Sequence, residues 1–107
     1  MAITISKANY QTDVIASKKP VVVDVFAVWC GPCQIMKPVF AALEKEYAHE
    51  YVFGTLNVEE DRELSTELGV TSIPSFLFFN NGKLLGKEVG VINVDVFKKL
   101  LTSYFGE

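Results

Sequence analysis

Apolar positions recur along this chain in two rhythms, and the rhythms divide it into elements. Residues 21 to 27, VVVDVFA, are almost continuously apolar and predict a central strand covered by helices on both faces. From Gly31 and Pro32 onward, Ile35, Met36, Val39, Phe40, Leu43 and Tyr47 follow helical spacing and predict a long helix. Pro38 within it is expected to cause a kink, because its ring clashes with the preceding turn and it has no N–H to donate. Ahead of these, Ile3 and Ile5 suggest a short strand, and Ser6 can cap a helix running through Tyr10, Val14 and Ile15. Residues 51 to 58 are rich in β-branched and aromatic side chains and read as a third strand. The acidic cluster Glu59, Glu60, Asp61 and Glu63 is best read as the solvated start of a short helix that ends at Leu68, with Gly69 as its stop. Residues 75 to 79, SFLFF, read as a strand joined to residues 84 to 89 by an Asn80-Asn81-Gly82-Lys83 hairpin turn. Asn93 can cap a last amphipathic helix through Val96, Phe97, Leu100 and Leu101. The order is βαβαβαββα. Crossover connections make parallel pairs and the hairpin makes an antiparallel edge, so the expected class is α/β, a three-layer sandwich around a mixed central sheet. Met36 and the Phe76 to Phe79 stripe read as core.

Composition limits what such a domain can do. The chain has 107 residues, half of them hydrophobic and 21% charged, enough for one domain, residues 1 to 107, that folds on its own core. Its formal charge is −3, which argues against a nucleic-acid partner, since that affinity depends on clustered Lys and Arg releasing counterions. The amino terminus lacks the basic flank and long apolar region of a secretory signal, and no apolar run is long enough to span a bilayer. A cytoplasmic protein with no membrane partner is the expectation.

Two residues narrow the chemistry. The chain has two cysteines, Cys30 and Cys33, and four readings compete for them. A structural disulfide enclosing four residues would yield only about 2 kcal/mol. A structural zinc site takes four ligands, and beyond this pair only His49 is available, so no metal is expected. Covalent haem attachment needs His directly after the pair, where Gln34 stands. Redox catalysis fits best. Residues three apart at a helix start have Cβ atoms about 5 to 6 Å apart, so a small backbone adjustment closes or opens the bond. Cys30, just ahead of the first turn, gains from free N–H groups and the helix dipole, which favour a sulfur anion, whereas Cys33 lies one turn inside. Pro32 presets φ for the helix start and Gly31 leaves room for an incoming chain. Six residues ahead of Cys30, Asp24 interrupts the apolar strand. Burial disfavours its charged form and raises its proton affinity toward neutrality, where a carboxyl can accept and return a proton. The alternative is a buried acid held by backbone hydrogen bonds for fold specificity.

Nearly the whole chain resembles the thioredoxin family, whose signature WCGPC stands at Trp29 to Cys33. The likeness extends to VDVFA before the motif, Pro38, Ile73-Pro74, NNGK at the hairpin and Gly90. It implies a general protein-disulfide reductase, acting on oxidised protein substrates as a monomer. Recharging would fall to thioredoxin reductase, so that FAD and NADPH enter only through that partner and no cofactor is bound. It also implies the roles of the site: Cys30 as nucleophile, Cys33 as resolving thiol and Asp24 as their proton acceptor. Trp29, Ile73, Pro74 and Gly90 would form an apolar platform, with a cis bond at Ile73-Pro74 that frees the Ile73 backbone to pair with an extended substrate. The Gly-Pro dipeptide resembles reducing members of the family more than its oxidases or isomerases. A docking subunit that does not use its thiols is the rival of a different class. Three positions depart from the common pattern. Val28 replaces a frequent acid, Gln34 a frequent Lys or Arg, and Thr55 a Lys that in many members lies near the buried acid. Without that cation Asp24 is expected to hold its proton more tightly, and Lys37 is the nearest basic residue in sequence to the motif.

Overall fold

Val21–Phe26 forms the centre of the sheet (β2), and every residue from Val21 to Val25 is buried. The computed structural model describes residues 2–106. In chain order the elements are β1 (Ile3–Thr4), a π-helical segment (Tyr10–Ile15), β2, α1 (Gly31–Tyr47), β3 (Val52–Asn57), α2 (Arg62–Glu67), β4 (Ser75–Asn80), β5 (Lys83–Val89) and α3 (Val94–Phe105). The strands lie in the order β1-β3-β2-β4-β5. β3 is parallel to both β1 and β2, while β4 runs antiparallel to β2 and β5 antiparallel to β4.

This order corrects one expectation. The helix between β3 and β4 does not link a parallel pair, because β4 crosses to the far side of β2 and runs in the opposite direction. A connection through a helix yields a parallel neighbour only when the chain returns to the same end of the sheet. A second correction concerns the amino-terminal helix. Ser6 and Asn9 cap a turn, with Ser6 N–H donating to Asn9 Oδ1 (2.8 Å) and Ala8 N–H to Ser6 Oγ (3.2 Å). The helix then begins only at Tyr10 and is wide, with Ala16 N–H donating to Gln11 C=O at 2.9 Å. Thr12, Asp13, Val14 and Ile15 are weak α-helix formers, and the wide turn still buries Val14 against the sheet.

The pleat sorts side chains onto two cores. Val21, Val23 and Val25, with Leu77 and Phe79 of β4, pack against Val14 and Leu64 on one face. Val22, Phe53, Phe76 and Phe78 pack on the other against Met36, Phe40 and Leu43 of α1 and Phe97 and Leu101 of α3. Phe76 and Phe97 meet edge to face at 5.0 Å. Alternation therefore turns Asp24 toward α1. α1 runs unbroken through Pro38, which lies on its exposed side, where water can serve the carbonyl that lacks a donor. Its buried residues, Cys33, Met36, Phe40 and Leu43, leave Ile35 off the stripe and 58% exposed. The hairpin turn has positive φ at Asn81 (53°) and Gly82 (77°), the geometry that Asn-Gly pairs favour. Asn93 caps α3 by accepting from Val96 N–H at 2.9 Å. Asn93→Ala should cost about 1 kcal/mol of stability, read as a lower urea midpoint with an unchanged slope; an unmoved midpoint would mean that water replaces the cap.

Candidate functional site

β2 ends at Phe26, and four residues separate it from α1. The turn between them is tied at three points: Cys30 N–H donates to Ala27 C=O (3.3 Å), Gln34 N–H to Cys30 C=O (3.2 Å) and Gln34 Nε2 to Val28 C=O (3.0 Å). Gln34, in the place of a cation, thus braces the loop from the first turn of the helix. Cys30 is the N-cap residue in extended conformation, with Pro32 in the first turn. Its Sγ accepts the Cys33 N–H at 3.2 Å, so a helix donor without a partner in the helix points at this sulfur. The two cysteines form a disulfide with their Cα atoms 5.2 Å apart.

The sulfurs lie in a small apolar nest of Ala27, Phe26, Val58 and Ile73. Cys30 retains 5% of its surface and Cys33 none. The difference runs in the expected direction but is small, and the open side lies above Gly31, where a Cβ would meet nothing within 4 Å. Trp29 is 70% exposed and lines a groove of about 260 Å³ with Ile73, Val58, Arg62 and Val70. The Ile73–Pro74 bond is cis, and Gly90, at φ 99°, donates its N–H to Pro74 C=O at 2.9 Å. Trp29 and Ile73 therefore share one groove, and Gly90 joins Pro74 from the end of β5. Val28, Ile35, Val89 and Val91 are further large apolar side chains exposed to solvent. Sequence reasoning marked Val28 only as a departure from the family pattern and did not single out Ile35, Val89 or Val91 as exposed. The available signal was Ile35 falling outside the spacing of the buried positions of α1.

Asp24 is 3% exposed and opens into a cavity of about 330 Å³, lined also by Phe26, Lys37, Phe40, Glu44 and Thr55. Phe26 belongs to both places, packing against the cysteines and lining the cavity. Among the described residues, Asp24 Oδ1 is buried without a hydrogen-bond partner, so backbone hydrogen bonding does not account for this oxygen. Burial pushes the Asp24 carboxyl up to about 7, with Lys37 acting in the opposite direction. Lys37 is the residue that sequence reasoning placed only near the motif. Thr55, the register partner of Asp24 on β3, brings no charge, but α1 brings a cation instead, with Lys37 Nζ 5.0 Å from the centre of the Phe26 ring. Nothing local in the sequence marks this, because residues 24 and 37 meet only when α1 folds back over β2. His49 is exposed. Among the described residues no group of three or more His, Cys, Asp or Glu side chains is placed to hold a metal ion, and no helix is long and apolar enough to cross a membrane.

Comparison with known proteins gives the same frame. The family model described as Thioredoxin matches residues 1–103. The chain is 34% identical over 98 residues to a thioredoxin of Chlorobaculum thiosulfatiphilum, covering 92% of this chain and 91% of that protein. It is 34% identical over 99 residues to one of Buchnera aphidicola subsp. Acyrthosiphon pisum, with 92% of each covered. A chloroplastic M-type thioredoxin of Pisum sativum is 38% identical over 88 residues, 82% of this chain and 51% of that protein.

Proposed function

Since the chain belongs to the thioredoxin family and is a protein-disulfide oxidoreductase that reduces disulfides through Cys30 and Cys33, we propose how its residues divide that work. Cys30, as thiolate, attacks one sulfur of a partner's disulfide; that bond breaks, its other sulfur leaves as a thiolate and takes a proton from water, and a mixed disulfide remains. Cys33 then gives its proton to Asp24 and attacks Cys30 Sγ. The second partner sulfur leaves, and the Cys30–Cys33 disulfide holds the oxidation that the partner has lost. The observation that carries this assignment is the Cys33 N–H aimed at Cys30 Sγ at the start of α1. A charged acceptor strengthens such a bond, so the geometry favours the anion on Cys30, while Cys33, fully buried, is the thiol that needs a proton acceptor.

Trp29, Ile73, Pro74 and Gly90 form the docking platform, with the Ile73 backbone pairing with an extended substrate segment and Gly31 leaving the approach open. Main-chain pairing of this kind reads few side chains, which suits a broad range of oxidised proteins. The dithiol is recharged by thioredoxin reductase, whose FAD passes on electrons from NADPH; the chain itself works as a monomeric electron carrier in the cytoplasm.

Alkylation of the reduced protein tests the division of labour. Cys30 should react with iodoacetamide at a rate that levels off at a pH below the ordinary thiol range of about 8.5, while Cys33 stays unmodified. Equal labelling of both thiols, or a Cys30 profile matching free cysteine, would remove the assignment.

A further inference from the structure

Lys37 lies on α1 beside the Asp24 cavity, one helical turn beyond Cys33. It is four residues after Cys33 on α1, and side chains at that spacing share a face with Cβ atoms about 5 to 6 Å apart. Its Nζ lies 5.0 Å from the centre of the Phe26 ring, the ring that packs against the two cysteines and also lines the Asp24 cavity. Lys37 lines that cavity too. Among the described residues, the other groups near Asp24 come from β3, β4, α1 and the amino-terminal segment. β3 contributes Thr55 and β4 contributes Phe76, neither of which is charged. Ala2 is uncharged as well, and α1 adds Glu44, seven residues beyond Lys37 and thus about 10 Å further along the helix. Among the described residues that line the cavity, Lys37 is therefore the cation, and it lies on α1 nearer to Cys33 than Glu44 does.

We propose that Lys37 is a positioning residue for the resolving step: its ammonium, held over Phe26, favours negative charge on the Asp24–Cys33 pair so that the proton leaves Cys33 near neutral pH. The idea rests on the proposed role of Asp24. Its physical content is a balance of two opposed effects. Burial of a carboxylate with an unpartnered oxygen favours the protonated acid, which cannot accept a second proton. A nearby cation favours the ionised form, and it favours the Cys33 thiolate in the same way. Lys37 is exposed, so salt should weaken its influence. The aromatic face of Phe26 holds the ammonium in place by cation–π attraction, and the aliphatic stem supplies packing that a charge-free side chain of similar length can replace.

The test mixes reduced protein with the symmetrical aromatic disulfide 5,5′-dithiobis(2-nitrobenzoate) and follows the two thiolates released. The first reports attack by Cys30 and the second resolution by Cys33. In Lys37→Met the acid limb of the second phase should move to higher pH, lowering its rate at about pH 6.5 by roughly threefold to tenfold. The rate should converge on the parent's above the limb. Lys37→Arg, which keeps the charge, should retain the parental profile, and added salt should move the parent toward Lys37→Met. Superimposed profiles for the parent and Lys37→Met would overturn the proposal, as would equal displacement by Met and Arg, which would trace the effect to packing. Asp24→Asn separates the two claims. If it leaves the limb where it was, the Asp24 reading fails and takes this proposal with it. If it abolishes the limb while Lys37→Met leaves it in place, only the role of Lys37 fails.

Discussion

Cys30→Ser loses the reduction of insulin disulfides, with dithiothreitol as electron source, down to the rate of dithiothreitol alone. The size of the loss follows from the chemistry: a serine hydroxyl is not ionised near neutral pH and cannot form the mixed disulfide, and removing a nucleophile costs about three orders of magnitude or more. Cys33→Ser should lose turnover to a similar extent in a different way. Its Cys30 still attacks, but no neighbouring thiol resolves the adduct, so the reduced variant, freed of dithiothreitol before it meets insulin, accumulates bound covalently to its substrate and runs as a mixed disulfide on a non-reducing gel. Neither loss should come from unfolding, because a disulfide enclosing four residues contributes only about 2 kcal/mol and the sheet core lies elsewhere. Insulin reduction by Cys30→Ser above background would place the chemistry at another atom. Retention of cellular function by the double serine variant would point to docking without thiol chemistry.

The second large effect belongs to Asp24, and it divides stability from rate. The carboxyl is raised from 3.8 to about 7 by burial. Between these values the unfolded chain releases a proton that the folded protein keeps, so the parent loses stability as pH rises through this window and levels off above about 7. At about 1.4 kcal/mol for each tenfold change in proton affinity, the full loss is on the order of 4 kcal/mol. Asp24→Asn has no proton to lose. Its advantage over the parent should therefore be absent below about pH 4 and grow up to about pH 7, less the roughly 1 to 3 kcal/mol of burying an amide without partners. Urea unfolding of both proteins in the same redox state, at a series of pH values, measures this. Stability curves that stay parallel across the window would show that Asp24 is solvated or paired in solution. The same substitution should slow the Cys33 step by roughly tenfold or more near neutral pH, since a positioned general base contributes about 10² to 10⁴. A more stable protein that turns over more slowly is the combined result expected.

Much of this was legible along the chain. The strand at residues 21 to 26 follows from its apolar run, and α3 begins at Asn93 because an asparagine side chain satisfies the Val96 N–H. The Asn81-Gly82 turn follows from residues that accept positive φ. The dithiol was legible for the same reason: Cys30, Gly31, Pro32 and Cys33 are contiguous, and a helix start carries its free donors in any fold. The amino-terminal helix was misjudged because Ser6 caps a turn ahead of it, and two successive turns of similar composition look alike in sequence. Ile35 was counted among the apolar positions of α1 without regard to the stripe it misses.

The sequence by itself determined the elements and the reactive pair, because periodicity, capping and turn chemistry act within a few residues. Only the tertiary structure decided that β4 runs antiparallel beside β2, and that Asp24 shares a cavity with Lys37 and Thr55. Strand order depends on pairing between distant segments, and the proton affinity of an acid depends on distance and burial in three dimensions. Residues 24, 37 and 55 acquire that relation only once α1 has packed across β2 and β3.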